Sequence, residues 1–219
     1  MDFKHLLDFL SRLSKNNNKD WFDTHKKEYE SLRKEWVDFV GESIRAFGAF
    51  DSAMLELDPK KCIFRINRDV RFSKNKDPYK NNFGMSLSSG GKASDFCGYY
   101  LHIQPGECFI AGGAYQPMPD KLAAIRQEID YNFAAFHKIV LDKNFVAQFG
   151  SLSGDKLVRP PKGYDIDNPA VEYLKHKGFI AYRKVDDKTL FDKYFMKELI
   201  TSGKTMKPLI DFLNQAISN

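Results

Sequence analysis

The chain has 219 residues, 42% of them hydrophobic and 29% charged, with a net charge of +5. This is ordinary globular usage, and 19 Phe and 10 Tyr supply a ring-rich core, which excludes a disordered chain. No window approaches the ~20 apolar residues of a membrane helix, and the amphipathic start MDFKHLLDFLSRL lacks the apolar run and cleavage site of a signal peptide. Cys62, Cys97 and Cys108 are odd in number and form no CxxC pair, so a disulfide framework or Cys-rich metal site is not expected. A reducing, cytoplasmic setting and no membrane partner follow as expectations.

In chain order, Phe3, Leu6, Leu7, Leu10 and Leu13 trace a helical stripe that Asn16, Asn17 and Asn18 interrupt. A second helix is predicted from near Asp20 to Phe47, with Gly48 as its stop. From Lys61 the period changes. Phe64, Ile66, Val70 and Phe72 alternate with Arg65, Asn67, Asp69 and Arg71, which predicts a strand followed by a polar turn over 73–78. Two more strands are read at Phe83, Met85 and Leu87 and at Tyr99, Leu101 and Ile103. The turn Pro105-Gly106-Glu107 leads into a fourth from Cys108 to Tyr115. Gly112-Gly113 marks a bulge or a close backbone approach.

Asp120 is the expected N-cap of a helix carrying Leu122, Ile125, Ile129 and Phe133, and a further helix is expected over 135–149. Residues 150–169 form a long, ordered, aromatic loop. After it come a helical turn over 171–175, a strand over 178–185 and two C-terminal helices, with Pro208 near the start of the last. The expected fold is α+β: an antiparallel meander sheet packed on one face by several helices, with helical N- and C-termini. The chain reads as one domain over 1–219, with a helical N-terminal segment over 1–50, a sheet-centred core over 60–185 and helices over 188–218.

The charge is local. Between 60 and 80 eight Lys and Arg face only Asp69 and Asp77, a local +6 that leaves −1 for the remainder. Such a cluster points to an anionic ligand more than to general nucleic-acid affinity. Arg65, Arg68, Arg71, Lys76 and Lys80 are the expected anion-binding residues, joined by Lys162 from the rigid stretch Arg159-Pro-Pro-Lys-Gly-Tyr164. Asp69 between arginines suits a carboxylate that orients guanidiniums.

If the strands share register, one sheet face presents Arg65, Asp69, Arg71, Ser86, Tyr100 and His102 together, and the loop 157–165 is long enough to close it into a sheet-edge pocket. His102, Asp69 and Tyr79 are the candidates for proton transfer, His102 because its reference pKa lies near neutrality. A strand histidine satisfied by its neighbours and a solvated charged face are the plainer alternatives. His25 and Glu28, one helical turn apart, permit a metal pair, but no further ligand supports one and no metal is expected. No phosphate-loop, GxSxG or HExxH pattern names a cofactor or reaction.

Together NN…WF…H…Y (Asn17 to Tyr29), RINRDVRFSKNKDPYK (65–80), GYYLHIQPG (98–106), PPKGYDIDNP (160–169) and PLIDFLNQAI (208–217) resemble the conserved hypothetical proteins, mostly bacterial, grouped as domain of unknown function 2461. The resemblance spans nearly the whole chain. It implies a full-length domain and brings no activity and no site residues with it. The function expected is binding, and enzymatic processing if His102 acts, of a small anionic or phosphorylated ligand. One alternative is a nucleic-acid or protein interaction module in which Tyr79, Tyr99 and Tyr100 stack bases. Another is an Arg–Asp network that serves structure alone.

Overall fold

A computed structural model describes residues 1–218. Helix α1 (Phe3–Lys15) starts at Asp2, whose side chain accepts from the His5 N–H at 3.0 Å. Asn18 caps α2 (Lys19–Thr24) in the same way, and α3 (Lys26–Gly48) follows after a break at His25. The single helix expected over 20–47 is therefore two. At the break the His25 ring stacks on Trp21 at 3.8 Å and its Nδ1 meets the Trp21 carbonyl at 2.8 Å. Glu28, its suggested metal partner, is bonded instead by His5 Nε2 at 2.7 Å and by the Arg12 guanidinium.

The sheet has four antiparallel strands in sequential order: β1 (Phe83–Ser88), β2 (Gly98–Ile103), β3 (Phe109–Ala114) and β4 (Phe179–Lys184). Two-residue alternation divides its faces. Phe83, Met85 and Leu87 of β1, Tyr99, Leu101 and Ile103 of β2, and Phe179 and Ala181 of β4 are buried on the helical side. Helix α8 (Phe195–Ser218) lies across this face, and Gly112 makes that approach possible: a Cβ there would sit 2.7 Å from Met206 Sδ. One contiguous cluster of buried side chains runs from Leu6 and Leu10 through Trp36 and Leu101 to Leu213. Burying such side chains contributes roughly 1.5–3 kcal/mol each before entropy is counted. Fold class, meander and helical ends agree with the sequence reading.

Several local expectations do not. The segment 64–72 is not a strand of the sheet. Among the described residues the outer edge of β1 is bridged only at Ile63, with Ser86 N–H donating to the Cys62 carbonyl, and the chain then leaves the sheet. It doubles back on itself instead. Asn67 bridges Tyr79, Arg68 N–H donates to the Pro78 carbonyl at 2.9 Å, and Lys80 N–H donates to the Ile66 carbonyl at 2.8 Å. The apolar members of the alternation therefore share no common core: Ile66 is buried, whereas Phe72 is 95% exposed.

Pro119, not Asp120, opens α4 (Pro119–Tyr131), with Met118 at the cap position and Asp120 in the first turn. Two helices, α5 (Phe133–Val140) and α6 (Lys143–Phe149), replace the one expected over 135–149. The Asp142 side chain caps the second through the Asn144 and Phe145 N–H groups. The four-residue α7 (Val171–Leu174) follows the long loop. The C-terminus is one helix, not two, and Pro208 lies inside it, where the tight packing of Met206, Leu209, Ile210 and Leu213 offsets the missing backbone bond.

Candidate functional site

With helices on one face only, the other face of the sheet carries Gly84, Ser86 and Ser88 from β1, Tyr100 and His102 from β2, Phe109, Ala111 and Gly113 from β3, and Ile180 and Tyr182 from β4. The small residues of β1 and β3 form the floor of a cavity of about 780 Å³, and rings wall it. Its remaining walls are Lys92 with residues 94–97, and residues 115–118 with Lys121. The loop 94–97 is tied down where it re-enters β2: Cys97 N–H donates to Asn214 Oδ1 at 2.7 Å, and Asn214 Nδ2 donates to the Cys97 carbonyl at 3.1 Å.

Tyr100, His102 and Gln104 form a hydrogen-bonded chain along β2 and its end. Gln104 Oε1 lies 3.1 Å from His102 Nε2, so this nitrogen carries the proton, and the Tyr100 hydroxyl donates to Nδ1 at 3.1 Å. Gly84, opposite His102 in register, leaves room for that hydroxyl: a Cβ there would stand 2.8 Å from it. His102 stacks on its cross-strand partner Phe109 at 4.6 Å. Burial pushes the His102 pKa down, and the bond to Gln104 and the charge of Glu107 oppose this, so the ring is neutral at neutral pH. Burial, with a smaller contribution from Tyr115, pushes the Tyr100 phenol up to about 12.

At the β1 end of the cavity, Phe64 packs edge-on against Tyr100 at 6.0 Å. The ammonium groups of Lys80 and Lys92 lie 5.6 and 5.4 Å from the Phe64 centroid, and Lys92 Nζ donates to the Ile63 carbonyl at 2.5 Å. Burial, then the charges of Arg65 and Lys92, lower the Lys80 pKa. Among the described residues none of these three cations has an ion-pair partner.

The sequence-predicted residues divide. His102 and Tyr100 line the cavity, and Lys80 stands at its Phe64 rim. Asp69 and Arg71 pair with each other on the projecting loop, through Nε at 3.0 Å and Nη2 at 2.6 Å, and Arg71 holds the Asp69 carboxyl below its usual range. Arg68 donates to the Asp77 carbonyl at 3.1 Å and Lys76 to the Val70 carbonyl at 3.0 Å, both turned onto the loop's own backbone. Tyr79 is buried, stacked on Phe22 at 4.0 Å, while Asn17 bonds both its backbone N–H and its carbonyl. Asp69, Tyr79 and Arg71 therefore do not share the face that holds His102, because 64–72 never joins the sheet.

The expected cover, loop 157–165 with Lys162, does not line the cavity either. Tyr164 packs beside α4 near Arg126 and Asp130, and Lys162 is exposed. Sequence reasoning missed Phe64, Lys92 and Phe109 as site residues. The usable signal was the small residues Ser86, Ser88, Ala111 and Gly113 in register beside rings.

The fold and site define an α+β protein whose antiparallel sheet packs helices on one face and opens a ring-walled cavity on the other. Residues 5–212 match the family described as a conserved hypothetical protein (DUF2461), and the chain belongs to that family. Among curated proteins nothing matches, and among solved structures nothing matches. No helix of the described residues is long and apolar enough to cross a membrane, and no group of three or more His, Cys, Asp or Glu among them is placed to hold a metal.

Proposed function

We propose that the protein binds a small anionic or phosphorylated molecule in the cavity on the open sheet face. The observation that carries this is the pair of cations Lys80 and Lys92 held over Phe64 at the cavity rim with no salt-bridge partner among the described residues, and the charge of Arg65 acting on Lys80. Cations held close at a partly desolvated site repel one another, and an anion between them relieves that repulsion. The volume lies within the ~300–1,000 Å³ of ligand pockets. Arg68, Arg71, Asp69 and Lys76 hold the loop in shape, and the Tyr100–His102–Gln104 chain offers the bound molecule a neutral proton-transfer group. The three buried free thiols support a reducing, cytoplasmic setting.

Calorimetry with inorganic phosphate and pyrophosphate tests the reading. Binding is expected, and Lys80→Ala with Lys92→Ala should weaken it at least tenfold, since a hydrogen bond to a charged group is worth about 1.5–3 kcal/mol. Equal affinity in the double variant would overturn it.

One observation favours a second reading. Phe72 stands almost fully exposed on the loop, with the Arg71 guanidinium 5.8 Å from its ring, an arrangement suited to stacking on a nucleic-acid base. Binding of single strands that falls steeply with salt and is lost in Phe72→Ala would establish it, and salt-insensitive binding would remove it.

A further inference from the structure

The open face carries more than a cationic rim. Phe64, Tyr100, Phe109 and Tyr182 form a continuous row of rings across the sheet, with centroid steps of 6.0, 5.6 and 5.1 Å. Phe64, Tyr100 and Phe109 wall the cavity, and Tyr182 continues the row beyond it. Beside them the floor is made of Ser86, Ser88, Ala111 and Gly113, none of which rises high enough to fill the space. Side chains that stand up from a sheet next to positions without bulk leave a slot whose walls are ring faces and edges.

At one end of this slot lie the unpaired cations, and within it hydroxyls and the Tyr100–His102 pair offer hydrogen bonds. A planar, polar-edged ring joined to an anionic group matches all three. Such a ring would lie against the aromatic wall with its edge at Ser86, Ser88 or Tyr100, and its anion would reach Lys80 and Lys92. A sugar phosphate or a dicarboxylate would satisfy the cations and leave the aromatic wall unused.

Building on the anion-binding reading above, we propose that the ligand of this cavity is a nucleotide, its base against the Tyr100–Phe109 wall and its phosphate at the Lys80–Lys92 end. A free mononucleotide and the terminal nucleotide of a single strand share this chemistry.

Fluorescence and calorimetric titration of the full chain with AMP, UMP, ribose 5-phosphate, inorganic phosphate and a 5′-phosphorylated hexanucleotide separates the cases. The expected result is that a mononucleotide binds about tenfold or more tightly than ribose 5-phosphate, the effect of one stacked base. Phe109→Leu keeps an apolar side chain and removes the ring. It should erase that preference while leaving phosphate affinity within about twofold, and circular dichroism of the same sample confirms that it is folded. A hexanucleotide that binds more tightly than AMP, with the same loss in Phe109→Leu, assigns the site to a strand end; weaker binding assigns it to the free nucleotide.

Equal affinity for ribose 5-phosphate and both mononucleotides overturns the nucleotide assignment and leaves anion binding standing. A preference that persists in Phe109→Leu overturns the placement of the base. Absence of binding by every probe overturns both readings.

Discussion

The loop between Arg65 and Lys80 and the open face of the sheet are built by opposite means. The loop closes on itself. Its cross-links join residues 2 to 14 positions apart, and its outward anchorage is Asn17 and Phe22 gripping Tyr79. The open face is assembled from strands spread between Gly84 and Tyr182, and its shape depends on register. Charge density therefore marks the loop in the sequence, whereas the concavity arises where small side chains from separate strands fall next to rings. The cations that belong to both regions, Arg65 and Lys80, sit where the loop's stem meets the sheet edge.

This contrast makes graded predictions about stability. The largest effect belongs to the sheet: Leu101→Ala, fully buried under the helices, should lower unfolding free energy by about 2–5 kcal/mol in urea titration. A loss below 1 kcal/mol would mean that the sheet is not the centre of the core. Acid should come next. His176 is buried with Nδ1 unpartnered, and burial, aided by the charge of Lys156, lowers its pKa to about 4 from 6.5.

The unfolded chain then binds a proton at His176 before the folded one does. The stability contribution is complete above pH 6.5 and is lost as the pH falls from 6.5 toward 4, on the order of 3 kcal/mol in total. The half-buried His102, also shifted down, adds a loss of the same sign. His176→Phe should flatten the acid limb of a stability–pH profile, and an unchanged limb would assign it elsewhere.

The anchor of the loop ranks third. Asn17→Ala removes two bonds to the Tyr79 backbone and should cost about 1–3 kcal/mol, with hydrogen exchange accelerated over 66–80. The smallest effect is at the loop's tip: Phe72→Ala should change stability by no more than about 0.5 kcal/mol. Arg71→Ala should leave the unfolding midpoint where it is, because its pair with Asp69 is exposed. A large loss at Arg71 would revive the reading in which the Arg–Asp network holds the protein together, and would erase the distinction between the two regions.

The strands were legible where alternation coincided with burial on one side, as in Tyr99, Leu101 and Ile103. The same alternation misled at 64–72, because period two is equally compatible with a chain that pairs only with itself. The helix breaks at His25 and Leu141 were missed because the apolar stripes run through them, and local capping by Asp142 and stacking of His25 decided the matter. By sequence Pro208 suits a helix start because the preference for the first turn is local, while the interior position is tolerated through long-range packing.

By itself the sequence determined the fold class, the family, the concentration of charge between 60 and 80 and the candidacy of His102, since each rests on composition, periodicity or local residue order. Only the tertiary structure decided which of the charged residues meet His102's face, that Tyr79 is an anchor within the core, and that Phe64, Lys92 and Phe109 belong to one cavity. These depend on register and on where the chain leaves the sheet, and both are set by contacts between residues far apart in sequence.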